Sequence, residues 1–453
     1  MRKLLLYIAG IMLMVGTNSF AQEAMVELLN KEEAISMMLE NNFSVKIARN
    51  NVSIAENNAG ILNSGYLPTL FGLAGGNYDN TTSTTDFNGA LNNEGNPRPD
   101  ITIEDAETRA LNASINLEYT LFDGLGRLYN YKTLKEQYQL SELQARQTIE
   151  ETAVQLLVVY YDVARLRENV AVLETALDIS KERELRAQYQ LEYGQVRKLD
   201  LLNARVDVNT DSINLLNARQ QLLNAKRDLN LLLNRDLEAA FRVDTTVTFV
   251  NDLELEAYVE SVKENNVRLL QAEKNLEISD YTLKRNRGLL LPTVGLSGSY
   301  GWNRSENPAS AFFPGTTRTS NSLNVGLNLR WNLFDGGNAY TSIRNSKIAI
   351  QNQELLKEQF RQEVYRDLAN ARGDYDNALH IYRLQEQNVV TNKDNFERSR
   401  EQLKLGQISS LEFRQAQINL LNAQTTRNAA KYNAKAAEAR LLQLVGQLLN
   451  VPF

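Results

Sequence analysis

The chain has 453 residues, 43% of them hydrophobic and 23% charged, with a formal net charge of -6, which suits a folded protein and excludes a weakly hydrophobic disordered one. It holds no cysteine and one histidine, His380, so disulfide frameworks, thiolate metal sites, cysteine nucleophiles and histidine clusters are excluded by count. A Ser-His-Asp triad would have to use His380, which lies in a charged helical stretch without a nucleophile elbow, and the acidic balance argues against a nucleic-acid binder.

Residues 1–21 read as a secretory signal peptide: Arg2 and Lys3 form a basic start, Leu4 to Val15 an apolar run, and Ser19-Phe20-Ala21 a cleavage site before Gln22. Twelve apolar residues are too few to cross about 30 Å of hydrocarbon. No cysteine follows the cut to take a lipid, and no later stretch reaches 18 apolar residues, so no helical membrane span is expected.

The rest of the chain is one unit written twice. Gly65-Tyr66-Leu67-Pro68 recurs as Leu289-Leu290-Leu291-Pro292, and Asn41-Asn42 as Asn265-Asn266, both at an offset of 224. Leu121-Phe122-Asp123-Gly124 recurs as Leu333-Phe334-Asp335-Gly336, and Tyr193-Gly194-Gln195-Val196 as Leu405-Gly406-Gln407-Ile408, both at 212. The change of offset falls at the longer polar loop of the first copy, as a loop indel in a duplicated unit would leave it. The repeats are placed at 22–233 and 258–447, with an inter-repeat segment at 234–257 and a tail at 448–453.

The first repeat opens with a helix expected over 31–63, followed by strands over 66–78 and 109–122. The second of these alternates, with Leu111, Ala113, Ile115, Leu117 and Tyr119 against Asn112, Ser114, Asn116 and Glu118, the period of a strand with two unlike faces. A polar loop is expected over 79–107.

Long helices come next. None of the seven prolines falls in 100–291 or 315–451, and glycine is absent from 127–193 and 195–287. Such runs, rich in Leu, Ala, Glu, Gln, Lys and Arg, favour helix, here over 125–192 and 197–233. The first, 68 residues counted from Leu125, would be roughly 100 Å long, too long for a compact domain. Gly194, alone at its end, suits a turn between antiparallel helices. Positions 201, 204, 208, 211, 215, 218, 222, 225, 229 and 232 are apolar at nine of ten, Asp211 excepted. The positions 212 further on are again apolar at nine of ten, Arg427 excepted. A weaker stripe through 199, 202, 206, 209, 213 and 216 lies on roughly the opposite side. Each helix is therefore expected to have neighbours on two sides, like a stave in a wall; a long dimeric coiled coil is the competing reading.

The inter-repeat segment carries a strand-like run, Phe241–Val250. The second repeat then offers a helix over 258–288, strands over 292–302 and 322–334 around a polar loop at 303–321, and helices over 338–404 and 409–446. Its strands show Val294, Leu296, Gly298, Tyr300 and Trp302 on one face, and Leu323, Val325, Leu327, Leu329 and Trp331 alternating with polar residues. Eleven tilted residues match a membrane β-strand, with Tyr119, Tyr300, Trp302 and Trp331 as an aromatic belt; a half-buried soluble hairpin shows the same alternation. Two hairpins supply four strands, too few to close a barrel, and lipid does not tolerate open edges. Strands that enter a membrane would therefore need several chains to share one barrel.

This duplicated helix–strand–strand–helix plan resembles the TolC-like outer-membrane efflux protein family over nearly all of the mature chain. The paired Leu-Phe-Asp-Gly blocks carry the resemblance, together with Gly194-x5-Asp200-x3-Ala204 and Gly406-x5-Glu412-x3-Ala416. It implies a mostly α fold with membrane β-structure: a homotrimer whose three four-stranded contributions make a 12-strand outer-membrane β-barrel, continued by a long periplasmic α-helical barrel, with the inter-repeat segment in an equatorial collar. Gly194, Gln195, Val196, Leu199, Gly406, Gln407, Ile408 and Leu411 would then be tips that dock a periplasmic adaptor (a membrane fusion protein) leading to an inner-membrane transporter. Asp200, Glu412 and Gln415 match positions of an entrance gate, but Gln415 is not acidic, and Leu403 and Ile408 stand where the family's gate has a tyrosine and an arginine. Acids favoured at helix N-termini are the other reading of Asp200 and Glu412.

The function implied is a passive exit duct of a tripartite efflux or type I secretion system, passing small molecules or polypeptides. It would sit in the outer membrane, among its lipids, and reach into the periplasm. No cofactor, metal, nucleic acid or catalysis is expected, since there is no GxxxxGK[ST] and no catalytic constellation. The alternative is a secreted coiled-coil structural or adaptor protein without a pore, against which the alternating strands argue.

Overall fold

The computed structural model describes residues 27–309 and 313–450. The expected signal peptide and the end of the tail, 451–453, lie outside the described residues. A short strand β1 (Glu27–Leu29) leads into α1 (Lys31–Asn41) and α2 (Phe43–Asn58), then β2 (Thr69–Thr85), β3 (Ile101–Phe122), α3 (Gly126–Glu192) and α4 (Lys198–Leu232). Strand β4 (Phe241–Val243) precedes α5 (Asp252–Glu260), α6 (Val262–Asn265), α7 (Val267–Arg287), β5 (Thr293–Asn307), β6 (Thr316–Arg330), α8 (Asn338–Lys404) and α9 (Ser410–Leu444).

The helices expected over 31–63 and 258–288 are each broken, and an asparagine breaks both. Asn42 Oδ1 accepts from the backbone N–H groups of Ser44 and Val45 at 2.8 and 3.3 Å, while its Nδ2 donates to the Leu232 carbonyl at 2.9 Å. Asn266 Oδ1 accepts from the Leu269 N–H at 3.2 Å, and its Nδ2 donates to the Leu444 carbonyl at 2.7 Å. An asparagine that caps one helix competes with backbone continuation of the helix before it. Here the same side chain also satisfies the last carbonyl of α4 or α9, one of the orphan acceptors at a helix end. The recurrent Asn-Asn pair of the sequence is thus a joint made once per repeat.

The chain divides into two compact units, and each draws segments from both repeats. The first contains the described part of Met1–Asn50 with Leu143–Leu270 and Phe360–Phe453. Its core buries Met38, Leu156, Tyr160, Tyr161, Leu229, Phe241, Tyr375 and Leu441. Strands β1 and β4 pair in parallel, with Glu27 opposite Phe241 and Leu29 opposite Val243. The Tyr160 hydroxyl joins them to α3, donating to the Leu29 carbonyl at 2.9 Å and accepting from the Asp244 N–H at 3.0 Å. Burial pushes this phenol up to about 12. The strand-like run Phe241–Val250 is a strand only to Val243, because the backbone beyond is held by side chains of α9. Lys431 donates to the Thr245 carbonyl at 2.9 Å, Lys435 to that of Thr248 at 2.7 Å, and Glu438 accepts from the Val250 N–H at 2.6 Å. Lys435 and Glu438 are themselves a buried ion pair.

The second unit contains Asn51–Glu142 and Gln271–Gln359. Its four strands form one antiparallel sheet in the order β2-β3-β5-β6. Thr69 lies opposite Glu118 in the first hairpin and Thr293 opposite Arg330 in the second. These pairs differ by the sequence offsets of 224 and 212, so both hairpins have one register. The repeats join at β3–β5, with Ala113 opposite Trp302. Strands β2 and β6 are edges without a strand partner among the described residues. The strands run well into the polar stretches expected as loops, to Thr85, from Ile101, to Asn307 and from Thr316. Backbone pairing needs no apolar alternation, so this extension has no hydrophobic signature.

In the same unit, Gly124 and Gly288 approach so closely that a Cβ on either would meet the other's carbonyl oxygen. The aspartate of each Leu-Phe-Asp-Gly block serves the helix that follows: Asp123 Oδ2 accepts from the Arg127 N–H at 2.9 Å and Asp335 Oδ2 from the Ala339 N–H at 2.8 Å. A carboxylate there satisfies an orphan N–H and suits the helix dipole.

Candidate functional site

The two sequence-predicted tips lie in the first unit, where α3 turns into α4 and α8 into α9. Each is built from the same hydrogen bonds. Gly194 N–H donates to the Leu191 carbonyl at 3.0 Å and Gln195 N–H to that of Gln190 at 2.7 Å; Gly406 and Gln407 repeat this to Leu403 and Gln402 at 3.1 and 2.9 Å. Both glycines have φ of +70°, the left-handed conformation that ends a helix in a Schellman turn. Around the turns, Tyr193, Leu199, Leu405 and Leu411 are 79, 56, 71 and 78% exposed, while Val196 and Ile408 are half-buried.

The candidate gate residues are engaged locally. Glu412 accepts from both the N–H and the hydroxyl of Ser409 at 2.7 Å, and its own N–H donates to Ser409 Oγ at 3.3 Å. This reciprocal arrangement caps α9. The Ser409 backbone N–H, and then its hydroxyl, hold the Glu412 carboxyl below the usual carboxylate range. Asp200 accepts from the Arg197 N–H at 3.1 Å, one half of this arrangement; the other half is missing in the first repeat because arginine has no side-chain acceptor, and the Asp200 N–H donates to the Arg197 carbonyl at 3.0 Å. Gln415 Nε2 donates to Asn419 Oδ1 at 2.8 Å along its own helix. Among the described residues no hydrogen bond or ion pair brings Asp200, Glu412 and Gln415 together.

A network without a local sequence signature joins the two repeats here. The Arg414 guanidinium closes on both oxygens of Asp211 at 2.7 and 2.8 Å, and the two residues are 8% and 1% exposed. Ser180 Oγ donates to Asp211 at 2.6 Å and accepts from Arg414 Nη1 at 3.2 Å and Gln417 Nε2 at 3.1 Å, which uses its one donor and both lone pairs. Asp207 takes Arg183 at 3.0 Å and lies 3.4 Å from Arg414 Nε. Arg183 also donates to Ser410 Oγ at 2.9 Å. Burial opposes the charge on Arg414 most strongly, but the hydrogen bonds to Asp211 together with the charges of Asp211 and Asp207 outweigh it and shift the guanidinium upward. The one hint in the sequence was the lone Asp211 in an apolar stripe; its partner, 203 residues on, could not be read.

Among the described residues, no group of three or more His, Cys, Asp or Glu is placed to hold a metal ion, and no helix is long and apolar enough to cross a membrane. The profile of a known family, described as outer membrane efflux protein, matches residues 34–235 and 258–447. The chain belongs to the outer membrane efflux protein family. This is a family of channel proteins, not enzymes, and it makes the chain an exit duct of the outer membrane. The chain is 22% identical to the outer membrane efflux protein BepC of Brucella suis biovar 1 over 97% of its own length and 90% of that protein. It is 22% identical to the alkaline protease secretion protein AprF of Pseudomonas aeruginosa, over 76% and 71% of the two chains. Its fold resembles the Campylobacter jejuni CmeC outer membrane channel, with a TM-score of 0.72 at 18% identity over 96% and 91% of the two chains. The TolC-like resemblance carried by the paired glycine and Leu-Phe-Asp-Gly motifs therefore stands.

Proposed function

We propose that three copies of this chain form one passive duct, with their sheets closed into a 12-strand barrel in the outer membrane and their helices continuing as a periplasmic tunnel. The observation that carries this is the pair of open edges, β2 and β6, on a sheet whose face through Leu111, Ile115, Tyr300, Leu323, Val325 and Leu327 is apolar and exposed. Open edges are not tolerated in lipid, so each must be covered by another chain. The β3–β5 register predicts how. Carried through the repeat offsets, Ala113 opposite Trp302 and Ile115 opposite Tyr300 become Val325 opposite Tyr78 and Leu327 opposite Gly76 of the neighbouring copy. That register puts apolar face beside apolar face, whereas a slip of one residue would invert it.

The sequence has no GxxxxGK[ST] phosphate loop, and an inner-membrane transporter is proposed to drive export through a periplasmic adaptor. The exposed Tyr193, Leu199, Leu405 and Leu411, with the glycine turns between them, are the proposed docking surface. Small molecules or polypeptides are the proposed cargo. Asp200 and Glu412 would place acidic rings near the entrance, with Gln415 beside them, and would favour cations. Conductance of the purified protein in planar bilayers tests this reading. Cation-preferring channels are expected; an anion preference counts against the acidic rings, and a processed protein that stays soluble without detergent counts against the duct.

A further inference from the structure

The apolar face of the sheet ends at two arginines. Along β3 it runs from Tyr119 to Leu111, and the next residue on that face is Arg109; along β5 it runs through Tyr300 and Trp302 to Arg304. Arg109 lies opposite Glu306 and Arg304 opposite Leu111, which makes the arginines diagonal neighbours about 7–8 Å apart at the level of the strands. From Tyr119 to Arg109 is ten residues. At about 3.3 Å per residue and a tilt of about 40°, this is about 25 Å along the membrane normal, the height of the apolar band of an outer-membrane barrel. The arginines therefore stand at headgroup level, at the rim away from the start of α3, which follows the other end of β3.

A cavity of about 400 Å³ opens there, lined by Gly76, Tyr78, Arg109, Leu111, Arg304 and Glu306. Its floor is apolar and its rim is guanidinium, with Arg109 over the Tyr78 ring at 5.7 Å. Glu107 engages one Nη2 of Arg109 at 2.8 Å and Glu306 one Nη2 of Arg304 at 2.7 Å. Exposed ion pairs of this kind hold weakly, and each fork keeps further N–H donors for a second anion. Guanidinium binds phosphate as a planar, bidentate donor.

We propose that this rim pocket holds a phosphate-bearing lipid of the outer leaflet, its phosphate between Arg109 and Arg304 and its acyl chains along the face of Leu111 and Trp302. The proposal rests on the sheet lying in the outer membrane. Trp302 and Trp331 are the only tryptophans, so Trp331→Phe leaves a single reporter two residues from Arg304. The purified full chain in detergent is titrated with phosphatidate carrying dibrominated acyl chains, and with diacylglycerol carrying the same chains. Phosphatidate should quench Trp302 at a concentration at least tenfold lower than diacylglycerol does. The preference should disappear in Arg109→Gln/Arg304→Gln and return in part with lysine at both positions. Equal quenching by the two lipids, or a preference that survives the double glutamine variant, overturns the proposal. Quenching abolished by inorganic phosphate at the lipid's concentration assigns the arginines to the free anion and overturns the lipid assignment. Conductance of the same proteins reports separately on the duct: normal channels without a phosphate preference count against the pocket alone, and loss of channels from the Trp331→Phe parent counts against the reading on which the pocket rests.

Discussion

Arg414 of α9 grips Asp211 of α4 through two parallel hydrogen bonds of 2.7 and 2.8 Å, both side chains shielded from solvent. The pair ties a second-repeat helix to a first-repeat helix close to the turns proposed to meet an adaptor. Its geometry is bidentate, and Ser180 and Gln417 occupy its flanks. Removing Asp211 leaves the buried Arg414 guanidinium with only Asp207, 3.4 Å from its Nε, and the Ser180 hydroxyl; removing both charges leaves an uncharged seam flanked by Ser180 and Gln417.

Asp211→Ala is therefore expected to lower stability by about 3–5 kcal/mol, whereas Asp211→Leu with Arg414→Met should recover most of that loss. Denaturant unfolding followed by helical circular dichroism measures both. A double variant as unstable as the single one would show that the cost lies elsewhere than in the stranded guanidinium.

Gly194→Val and Gly406→Val each force a left-handed φ on a residue with a Cβ, at a cost of about 1–2 kcal/mol or somewhat more for a branched side chain. No neighbouring atom lies within 4 Å of a Cβ built at either site, so the effect is on the turn and not on packing. Export should be impaired while trimers migrate normally on mild SDS gels. Full complementation of drug resistance by both variants would remove the tips from the docking surface.

The cap of α9 should be sensitive to acid. The folded-state carboxyl of Glu412 titrates below its ordinary value of 4.5 because Ser409 hydrogen-bonds its charged form. Its contribution is thus present above the unfolded pKa and is lost as pH falls through the folded one. Hydrogen exchange at the start of α9, normalised to intrinsic rates, should accelerate as pH falls below the ordinary carboxylate value of 4.5. Glu412→Gln keeps an acceptor for the Ser409 N–H but has nothing to titrate, so its exchange should show no such pH step, and a step that persists in that variant would assign it to another group.

The proposed contact between copies has a clean chemical test, because the chain contains no cysteine. Val325→Cys with Tyr78→Cys should form covalent dimers and trimers on oxidation, since paired strand positions put Cβ atoms about 4.5–5.5 Å apart, next to the roughly 3.5–4.5 Å that a disulfide spans. Val325→Cys with Gly76→Cys, two residues out of register, should crosslink far less. The reverse result would move the register.

The duplication, the long helices and the paired turns were legible because each rests on local chemistry. Proline and glycine are costly inside a helix wherever the rest of the chain lies, and apolar alternation marks Leu111 to Tyr119 as a two-faced strand without reference to its partner. The family resemblance came from motifs whose local role is now visible: Asp123 and Asp335 accept from the first turns of α3 and α8, and Gly194 and Gly406 take the left-handed φ that ends them. The sequence by itself thus determined what repeats, what is helix, and which strand face is apolar. Only the tertiary structure decided the rest: that Asn42 and Asn266 break helices to hold the ends of α4 and α9, that β4 stops at Val243 because α9 side chains take the backbone beyond, that polar strands extend past Tyr78 and Trp302, and that Asp211 has Arg414 as its partner. Periodicity records whether a side chain meets water or its neighbours. A buried hydrogen bond depends on a particular distant atom arriving within about 3 Å, and no local pattern encodes which atom that is.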